Sequence, residues 1–381
     1  MHVLTLTPFY PTAEDDASGC FIAESVGEFQ RQAIESSVIA VQPMHHPPPG
    51  PDPKAPAATW KKYFCLPGNP GLSTAGQFLH AALKSHVRQL HARKPISLIH
   101  AHAALPCGRA AMLLAKDLGI PFVVTVHGLD AFSTRQAPGW FGRRCSAISQ
   151  DVYRAAARVI CISAQVARRV REGLGDPVRI SVVYNGVDPC LFTPASGSPT
   201  VNDVILSVGN LIPIKGHELL LRSVAAVVPS HPEVHCRVVG EGPERVRLQQ
   251  LARDLRIADR IHFLGRRPRA EVAAAMRDCT LFALPSWYEG LGCVYLEAMS
   301  AERPAIACRG QGIEEVIRHG ENGWLIQPKD LDDLTTALQV LLSDRPLREK
   351  LGRNGRQTVL QSCTLAHQAS QLLSIYRGCL V

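Results

Sequence analysis

The segment Phe282-Ala283-Leu284-Pro285-Ser286-Trp287-Tyr288-Glu289-Gly290-Leu291-Gly292-Cys293-Val294-Tyr295-Leu296-Glu297-Ala298-Met299 runs from an apolar strand through a glycine-containing turn into a helix. Ligands of parallel sheets bind beyond the carboxyl ends of the strands, which is where this turn places Glu289. Helix-start amides can donate to an anion or to a sugar hydroxyl. Ionised carboxylates only accept hydrogen bonds, so one glutamate could hold a sugar ring and Glu297 a ribose diol. The competing interpretation is a solvated helix with surface glutamates.

A second segment with the same strand–turn–helix order reads Ser207-Val208-Gly209-Asn210-Leu211-Ile212-Pro213-Ile214-Lys215-Gly216-His217. Its single lysine, Lys215, lies just before the predicted helix start. The lysine precedes the glycine, and no GxxxxGK[ST] pattern occurs, which excludes a Walker loop. A lysine beside helix amides would neutralise charge that develops on a departing diphosphate. The alternative is an exposed loop lysine without a function.

Strand-like and helix-like segments alternate along the whole chain and restart after a Pro/Ser/Gly/Thr-rich linker at residues 193–200. Continuous apolar strands separated by helices predict parallel sheets that are covered on both faces. Two such series predict two Rossmann-like, doubly wound α/β domains that face a cleft. The predicted strands are Val3–Thr7, Ser37–Val41, Ile96–Ala101, Pro121–Val126, Val159–Ser163, Arg179–Tyr184, Val204–Val208, Val234–Val239, Arg260–Leu264, Thr280–Leu284 and Pro304–Cys308. The predicted helices include Gly108–Leu118, Ala164–Gly173, Glu218–Val228 and Glu244–Leu255.

Composition narrows the class of protein. The 381 residues, of which 46% are hydrophobic and 19% charged, suit a globular chain of two domains. No apolar run reaches the length of a membrane span, and the first residues resemble a strand rather than a signal peptide, so we expect a cytoplasmic protein. The 12 cysteines form no CxxC pair and are expected to be small buried side chains in a reducing compartment.

In the first half, one histidine stands at a strand end. Val123-Val124-Thr125-Val126-His127-Gly128 places His127 on the edge where ligands bind, although a structural histidine that caps a strand is the alternative. The alternating pair His100 and His102 could share a strand face and hold a metal, but no third ligand is evident. Asp330-Leu331-Asp332 spells an Asp-x-Asp pattern that can bind a metal, yet it precedes a helical pattern and is interpreted as helix-start acids. The sequence therefore implies no metal.

Taken together, several motifs resemble the family-4 retaining glycosyltransferases of GT-B architecture, over nearly the whole chain. They are the two glutamates with seven residues between them, the Lys215 turn, Asn185-Gly186-Val187-Asp188, Val239-Gly240-Glu241-Gly242-Pro243, Ile313-Glu314-Glu315-Val316-Ile317 and Gly320-Glu321-Asn322-Gly323-Trp324. Each motif alone is weak, but their order and spacing are specific. The resemblance implies an acceptor-binding domain over residues 1–195, a nucleotide-sugar-binding domain over 196–360, and a final helix within 361–381 that returns to the first domain.

The resemblance also implies roles for individual residues. Lys215 would contact the donor diphosphate, Glu289 the donor sugar, Glu297 the ribose and His127 the region of the reacting carbon, where it orients rather than acts as an obligatory base. The other donor-binding positions implied are Gly19, Gly265, Arg266, Gly290, Leu291, Gly292 and Cys293. The family usually carries arginine where this chain has Asn210, so part of the positive charge on the diphosphate is missing.

The expected activity is that of a retaining, metal-independent hexosyltransferase without a cofactor, which moves a sugar from a nucleoside-diphosphate sugar to a carbohydrate or lipid-linked acceptor. Cell-surface polysaccharide synthesis is the expected setting. Alternatives are a sugar-nucleotide epimerase or phosphorylase of the same architecture and, more remotely, a nucleic-acid-binding protein suggested by a net charge of +8. No helix-turn-helix, zinc or aromatic RNA-binding signature supports the last, and we expect no nucleic-acid partner.

The positive charge is concentrated in the first half. Residues 53–116 contain nine Lys or Arg and no acidic residue. Aromatic and basic side chains suit the interface of an anionic membrane, so this region predicts reversible docking on the inner face of the cell membrane or contact with a phosphate-bearing acceptor. The alternative is an ordinary helix with its apolar stripe on the sheet and a solvated basic side. The residues concerned are Trp60, Lys61, Lys62, Lys84 and Arg88, with the stripe at Leu79, Leu83, Val87 and Leu90.

Overall fold

The chain divides into two compact units. The computed structural model describes residues 1–47, 50–66, 69–128, 130–131, 139–175, 179–195 and 203–380. The first unit comprises Met1–Tyr184 and Leu365–Val381, and the second comprises Asn185–Thr364. The division after Tyr184 precedes the boundary expected at residue 195, because the chain joins the second unit as soon as the last strand of the first has ended. Of the predicted linker, residues 196–200 lie outside the described residues.

The first unit is a parallel sheet with strands in the order β3-β2-β1-β4-β5-β6-β7. Its central strands are completely buried, as the continuous apolar runs predicted, because helices cover both faces. The strands are β1 (His2–Thr7), β2 (Glu35–Pro43), β3 (Ala58–Tyr63), β4 (Leu98–His102), β5 (Phe122–Val126), β6 (Arg158–Cys161) and β7 (Ile180–Val182). The helices are α1 (Cys20–Arg31), α2 (Asn69–Arg93), α3 (Arg109–Leu118), α4 (Gly139–Ala155) and α5 (Ala164–Leu174), and a π-helical turn, Ala104–Gly108, precedes α3.

One strand of this sheet was missed by the sequence analysis. Strand β3 pairs with β2 at the edge of the sheet and contains Trp60, Lys61 and Lys62. Edge strands in natural proteins often carry lysine, which opposes pairing with another chain, so the strand lacks the apolar continuity of its neighbours. The cluster interpreted as a membrane contact is therefore part of the sheet.

The second unit is a parallel sheet in the order β10-β9-β8-β11-β12-β13. Its core contains Ile205, Leu221, Val238 and Leu338, all fully buried. The strands are β8 (Val204–Val208), β9 (His235–Val239), β10 (Ile261–Gly265), β11 (Leu281–Ala283), β12 (Ala305–Cys308) and β13 (Trp324–Ile326). The helices are α6 (His217–Val227), α7 (Arg245–Asp254), α8 (Arg269–Asp278), α9 (Cys293–Ser300), α10 (Leu331–Ser343) and α11 (Arg345–Ser362), with 3₁₀ turns at Pro213–Lys215 and Gly312–Glu315.

The last helix, α12 (Leu365–Cys379), belongs to the first unit. Its buried face joins the core cluster of that unit, and the Tyr376 ring packs 5.8 Å from the ring of Phe29 on α1. The buried residues of α12 in this cluster are Ala369, Leu372, Leu373 and Tyr376. The first unit is therefore built from both ends of the chain.

Candidate functional site

The turn that carries Lys215 is held against the neighbouring loop. It leaves β8 at the carboxyl edge of the sheet and ends in Gly216, whose φ of +74° lies in the left-handed region. A Cβ at Gly216 would overlap the carbonyl of Pro285, so only glycine fits there. The backbone N–H of Trp287 and the hydroxyl of Ser286 both donate to the carbonyl of Ile214 at 3.0 Å. These contacts fasten the turn after β8 to the loop after β11.

The loop that carries Glu289 is braced from both sides. The backbone N–H of Glu289 donates to Oε1 of Gln311 at 3.1 Å, and the carbonyl of Glu289 accepts from the N–H of Gly312 at 3.3 Å. The loop ends at Gly292, which caps α9, and α9 begins at Cys293. Leu291 is fully buried in this segment, whereas Gly290, Gly292 and Cys293 are half-buried.

The structure brings Lys215 and Glu289 together. The ammonium group of Lys215 donates to Oε1 of Glu289, and the two side chains are only 18% and 10% exposed. The sequence analysis gave these residues separate roles and did not predict their contact. Because little water screens the pair, its electrostatic effect is stronger than that of a surface ion pair. The site therefore places one cation and one acceptor side by side at the start of α6.

Glu297, on α9, is almost completely buried, with 3% of its surface exposed. Its Oε1 accepts from Arg269 at 2.6 Å, and the Arg269 guanidinium lies 5.0 Å from the centre of the Phe192 ring. Its Oε2 is buried and has no hydrogen-bond partner among the described residues. A buried acceptor without a donor is energetically unfavourable. After a small shift of the Glu297 side chain, a ligand hydroxyl that donates to Oε2 would form a favourable hydrogen bond.

Arg269 was missed by the sequence analysis, although a signal was present. It is the first residue of α8, where a positive charge opposes the helix dipole. A basic residue in that position is expected to have another partner, and the partner is Glu297.

Three further predicted donor-binding residues lie at the carboxyl ends of β8 and β10. Asn210 is exposed just after β8, Gly265 ends β10, and Arg266 is exposed directly after it. Strand β9 lies between them, and the N–H of Gly240 donates to the carbonyl of Gly265 at 2.9 Å.

In the first unit, His127 follows β5 and is clamped by aromatic rings. Its Nε2 lies 3.1 Å from Nδ1 of His102, the last residue of β4, and its ring centre lies 4.9 Å from that of Phe21. Burial lowers the pKa of His127 to about 4, so the ring is neutral near pH 7. Gly19 caps α1 with a φ of +69°, and a Cβ there would overlap the backbone of Phe9. The predicted glycine thus allows a close approach of two backbone segments.

Asp130, three residues after His127, is a further site residue that the sequence did not predict. Its Oδ1 accepts from the backbone N–H of His127 at 2.8 Å, which fixes the chain after β5. Burial raises the pKa of Asp130 to about 6. The spacing of a carboxylate three residues after the histidine was the available signal, because aspartate side chains often accept from a nearby backbone N–H.

The predicted membrane contact is only partly exposed. Trp60 is half-buried against the cluster that contains Tyr10 and Ile22, so only part of its ring is exposed. Lys61 is half-buried on the same edge strand. Lys62 is exposed, and its ammonium group donates to the carbonyl of His46 at 2.7 Å.

Helix α2 packs its apolar stripe on its own unit. Three of the four predicted stripe residues are fully buried. This agrees with the alternative interpretation of an ordinary helix whose apolar stripe packs on its own domain, and these side chains are not available to a membrane. They are Leu79, Leu83 and Val87. On its outer side, Lys84 pairs with Asp117 at 3.1 Å and Arg88 is exposed. Nearby, the rings of Phe64 and Phe78 pack edge to face at 5.0 Å while remaining 47% and 42% exposed.

The two candidate metal motifs have other partners. Both ring nitrogens of His100 lie within hydrogen-bond distance of protein hydroxyls, those of Thr125 and Tyr376. Asp330 caps α10 by accepting from the N–H of Asp333 at 2.9 Å, which confirms the interpretation as helix-start acids. Within the described ranges, no group of three or more His, Cys, Asp or Glu side chains is arranged to hold a metal ion. None of the helices described combines the length and hydrophobicity that a bilayer crossing demands.

The sequence matches two family models that together span most of the chain. One is described as glycosyltransferase family 4 and matches residues 21–190, and the other is described as glycosyl transferases group 1 and matches residues 192–358. The D-inositol 3-phosphate glycosyltransferase of Corynebacterium efficiens is 31% identical over 303 residues, which are 73% of this chain and 70% of that protein.

Solved structures share the fold along the full length. Sucrose-phosphate synthase from Thermosynechococcus elongatus matches with a TM-score of 0.82 at 22% identity and covers 99% of both chains. The Anabaena protein HepE, solved in complex with UDP, matches with a TM-score of 0.76 at 20% identity and covers 99% of this chain and 100% of its own. The predicted two-domain GT-B fold is confirmed.

Proposed function

The chain belongs to the family-4 glycosyltransferases of GT-B architecture, and from this premise we propose that it is a retaining hexosyltransferase that uses a nucleoside-diphosphate sugar. Among the enzymes considered, membership in this family favours a transferase over an epimerase or phosphorylase. The observation that carries the proposal is the contact of Lys215 with Glu289 at the start of α6. A cation and a hydrogen-bond acceptor in contact suit a ligand that presents a diphosphate next to a sugar.

In the proposed donor complex, Lys215 and the first N–H groups of α6 meet the diphosphate. Helix N-termini favour anions, and preorganised donors stabilise the charge that develops as the diphosphate leaves. Glu289 accepts hydroxyls of the sugar, with the backbone of Gly290–Cys293 beside it. Glu297 accepts a ribose hydroxyl through Oε2, the atom that has no partner in the described residues, while Arg269 holds Oε1.

The proposed transfer needs no covalent intermediate. The acceptor oxygen forms its bond to the anomeric carbon on the same face from which the diphosphate departs. The acceptor proton passes to the departing phosphate oxygen, so the protein supplies no base. His127, neutral near pH 7, orients the sugar near the reacting carbon. The support for this role is its position at the carboxyl end of β5.

The proposal assigns no metal ion and no cofactor to the reaction. Lys215 and the helix amides would take the electrostatic part that a divalent cation plays in other transferases. The test is to follow the reaction by proton NMR with EDTA present. Product with the donor's anomeric configuration, formed at an undiminished rate, is expected. An inverted product would contradict retention, and inhibition by EDTA that Mg²⁺ or Mn²⁺ reverses would contradict metal independence.

We propose a carbohydrate or lipid-linked acceptor, in cell-surface polysaccharide synthesis, reached by reversible docking on the inner membrane face. The exposed Phe64–Phe78 pair and the basic side chains Lys62 and Arg88 support docking, since aromatic and basic residues suit an anionic interface. The test is co-sedimentation with anionic and neutral vesicles at low and high salt. Binding to anionic vesicles only, lost with salt and in Phe64→Ser/Phe78→Ser, is expected, with Phe141→Ser as the control. The absence of binding at low salt would contradict docking.

A further inference from the structure

A second histidine, His102, packs against His127. It ends β4, the strand next to β5, and its Nδ1 lies 3.1 Å from Nε2 of His127. The planes of the two rings are inclined by only 17°, with centres 5.3 Å apart. The Phe21 ring also packs against the His127 ring, with the ring centres 4.9 Å apart. His127 therefore has little freedom to rotate, and its Nε2 is occupied.

His102 is itself held by a third histidine. The ring of His100 lies 4.3 Å from that of His102, and its nitrogens lie 2.7 Å from Oγ1 of Thr125 and 2.6 Å from the hydroxyl of Tyr376. Tyr376 belongs to α12, so the network extends from the His127 edge to the last helix of the chain. The His102 ring is therefore in contact with His100 and within hydrogen-bond distance of His127.

Burial keeps all three rings neutral near pH 7. It lowers the pKa of His100 to about 3 and of His127 to about 4, and it lowers the pKa of His102 well below its ordinary value. A neutral imidazole carries one ring hydrogen, so one nitrogen donates and the other accepts. If Nδ1 of His102 donates, both rings are Nδ1–H tautomers. If Nε2 of His127 donates, both are Nε2–H tautomers.

We propose that His102 is a positioning residue for His127, which fixes its ring plane, couples its tautomer and leaves Nδ1 as the nitrogen that meets the ligand. The partner of one ring nitrogen commonly decides which form the other presents. The contact of that Nδ1 with a donor sugar rests on the proposed function, whereas the coupling of the two tautomers does not.

The first test measures the unmodified protein. In a sample labelled with ¹⁵N-histidine, the ring shifts of His102 and His127 at pH 7.5 report the tautomer of each. We expect the same tautomer in both rings. Opposite tautomers, or rapid averaging of His127 between its two forms, would overturn the proposal, whatever the enzyme transfers.

Variants extend the test to turnover. His102→Phe keeps a flat ring but removes the hydrogen bond, so His127 should then show a mixture of tautomers. We expect kcat to fall by about tenfold to a hundredfold, the range that loss of outer partners causes at metal-bound histidines, with KM for the donor changed less. His102→Asn, which can restore a partner to Nε2, should recover most of the loss.

The matched control is Tyr376→Phe, which removes a hydrogen bond from the same network without contact to His127. It should leave the His127 tautomer unchanged. A His102→Phe protein with the His127 tautomer and kcat of the wild type would overturn the proposal. If that variant does not fold, the tautomers of the wild type and of His102→Asn decide.

Discussion

At the scale of single residues, the site depends on the charge that Lys215 can offer. Glu289 already takes part of that charge, and Asn210 stands where the family resemblance implied an arginine. A neutral amide forms a weaker hydrogen bond to an anion than a guanidinium does. In the proposed complex the diphosphate of a donor therefore depends mainly on Lys215 and on the helix amides.

This dependence predicts opposite effects of two substitutions. Lys215→Ala should weaken binding of UDP or GDP by about tenfold or more, because a charge-assisted hydrogen bond contributes about 1.5–3 kcal/mol, and should change binding of uridine or guanosine little. Asn210→Arg should tighten binding of the nucleoside diphosphates, less so in high salt. Isothermal titration calorimetry measures both.

The control for Asn210→Arg is Gln361→Arg, which adds the same charge to an exposed position on α11. Equal tightening by the two arginines would show a general effect of charge. Equal losses for the nucleotide and the nucleoside in Lys215→Ala would contradict the assigned contact.

Sequence reasoning found the individual site residues but not their contacts. Lys215 and Glu289 were each evident from a strand end followed by a glycine and a helix. Their ion pair was not, because it joins positions 74 residues apart and depends on how two turns pack. The partner of Glu297, Arg269, was equally hidden, although its unfavourable place at a helix start was visible.

At the scale of elements, the close fit of the two turns depends on Gly216. Alanine there would force a Cβ into the carbonyl of Pro285 and would also adopt an unfavourable left-handed conformation. We expect Gly216→Ala to destabilise the protein by more than about 2 kcal/mol, since overpacking alone costs roughly 1–3 kcal/mol. Gly119→Ala is the matched control, because its φ of +67° is similar but its Cβ would meet open space. Equal losses in urea unfolding would refute the steric argument.

The buried histidines His100, His102 and His127 predict a loss of folding stability in acid. A folded-state pKa below the unfolded value of about 6.5 contributes stability above that pH and loses it as the pH falls. For His100, with a pKa of about 3, the loss at pH 5 is about 2 kcal/mol. The melting temperature should therefore fall from pH 7 to pH 5, and less so in His100→Asn.

The comparison with a variant is needed because other groups titrate in the same range. Asp130, with a pKa raised to about 6, favours the folded state as it gains its proton, which opposes the histidines. His45→Gln, a change at an exposed histidine, should leave the pH dependence as in the wild type. A drop in His100→Asn as large as that of the wild type would contradict the assignment.

The strands were predictable where burial on both faces alone decides their sequence. Buried parallel strands such as β1, β5 and β8 are continuous apolar runs, and the structure confirms them within one or two residues. Strand β3 lies at an edge, where charged residues are tolerated, so its sequence resembled a surface cluster. The ring of Trp60 packs partly against its own unit.

At the scale of the whole molecule, the order of the strands, helices and motifs was enough to predict the fold. Two series of alternating strands and helices gave two Rossmann-like units, and the motifs of the second gave the family. The return of α12 to the first unit follows from its buried face, since Leu372 and Tyr376 complete the core of that unit. Which sugar and which acceptor are used depends on side chains that approach a ligand, and such contacts leave no periodic pattern in a sequence.

We propose that this chain transfers a sugar from a nucleoside-diphosphate donor through Lys215 and Glu289. The most direct measurement is the release of UDP or GDP from a panel of nucleotide sugars, with and without a fraction of glycans and lipid-linked sugars as acceptor. We expect release from one donor that requires the acceptor, and a strong loss of turnover in Glu289→Gln with its fold preserved. Release without any acceptor, no release from any donor, or full activity of Glu289→Gln at saturating donor would contradict it.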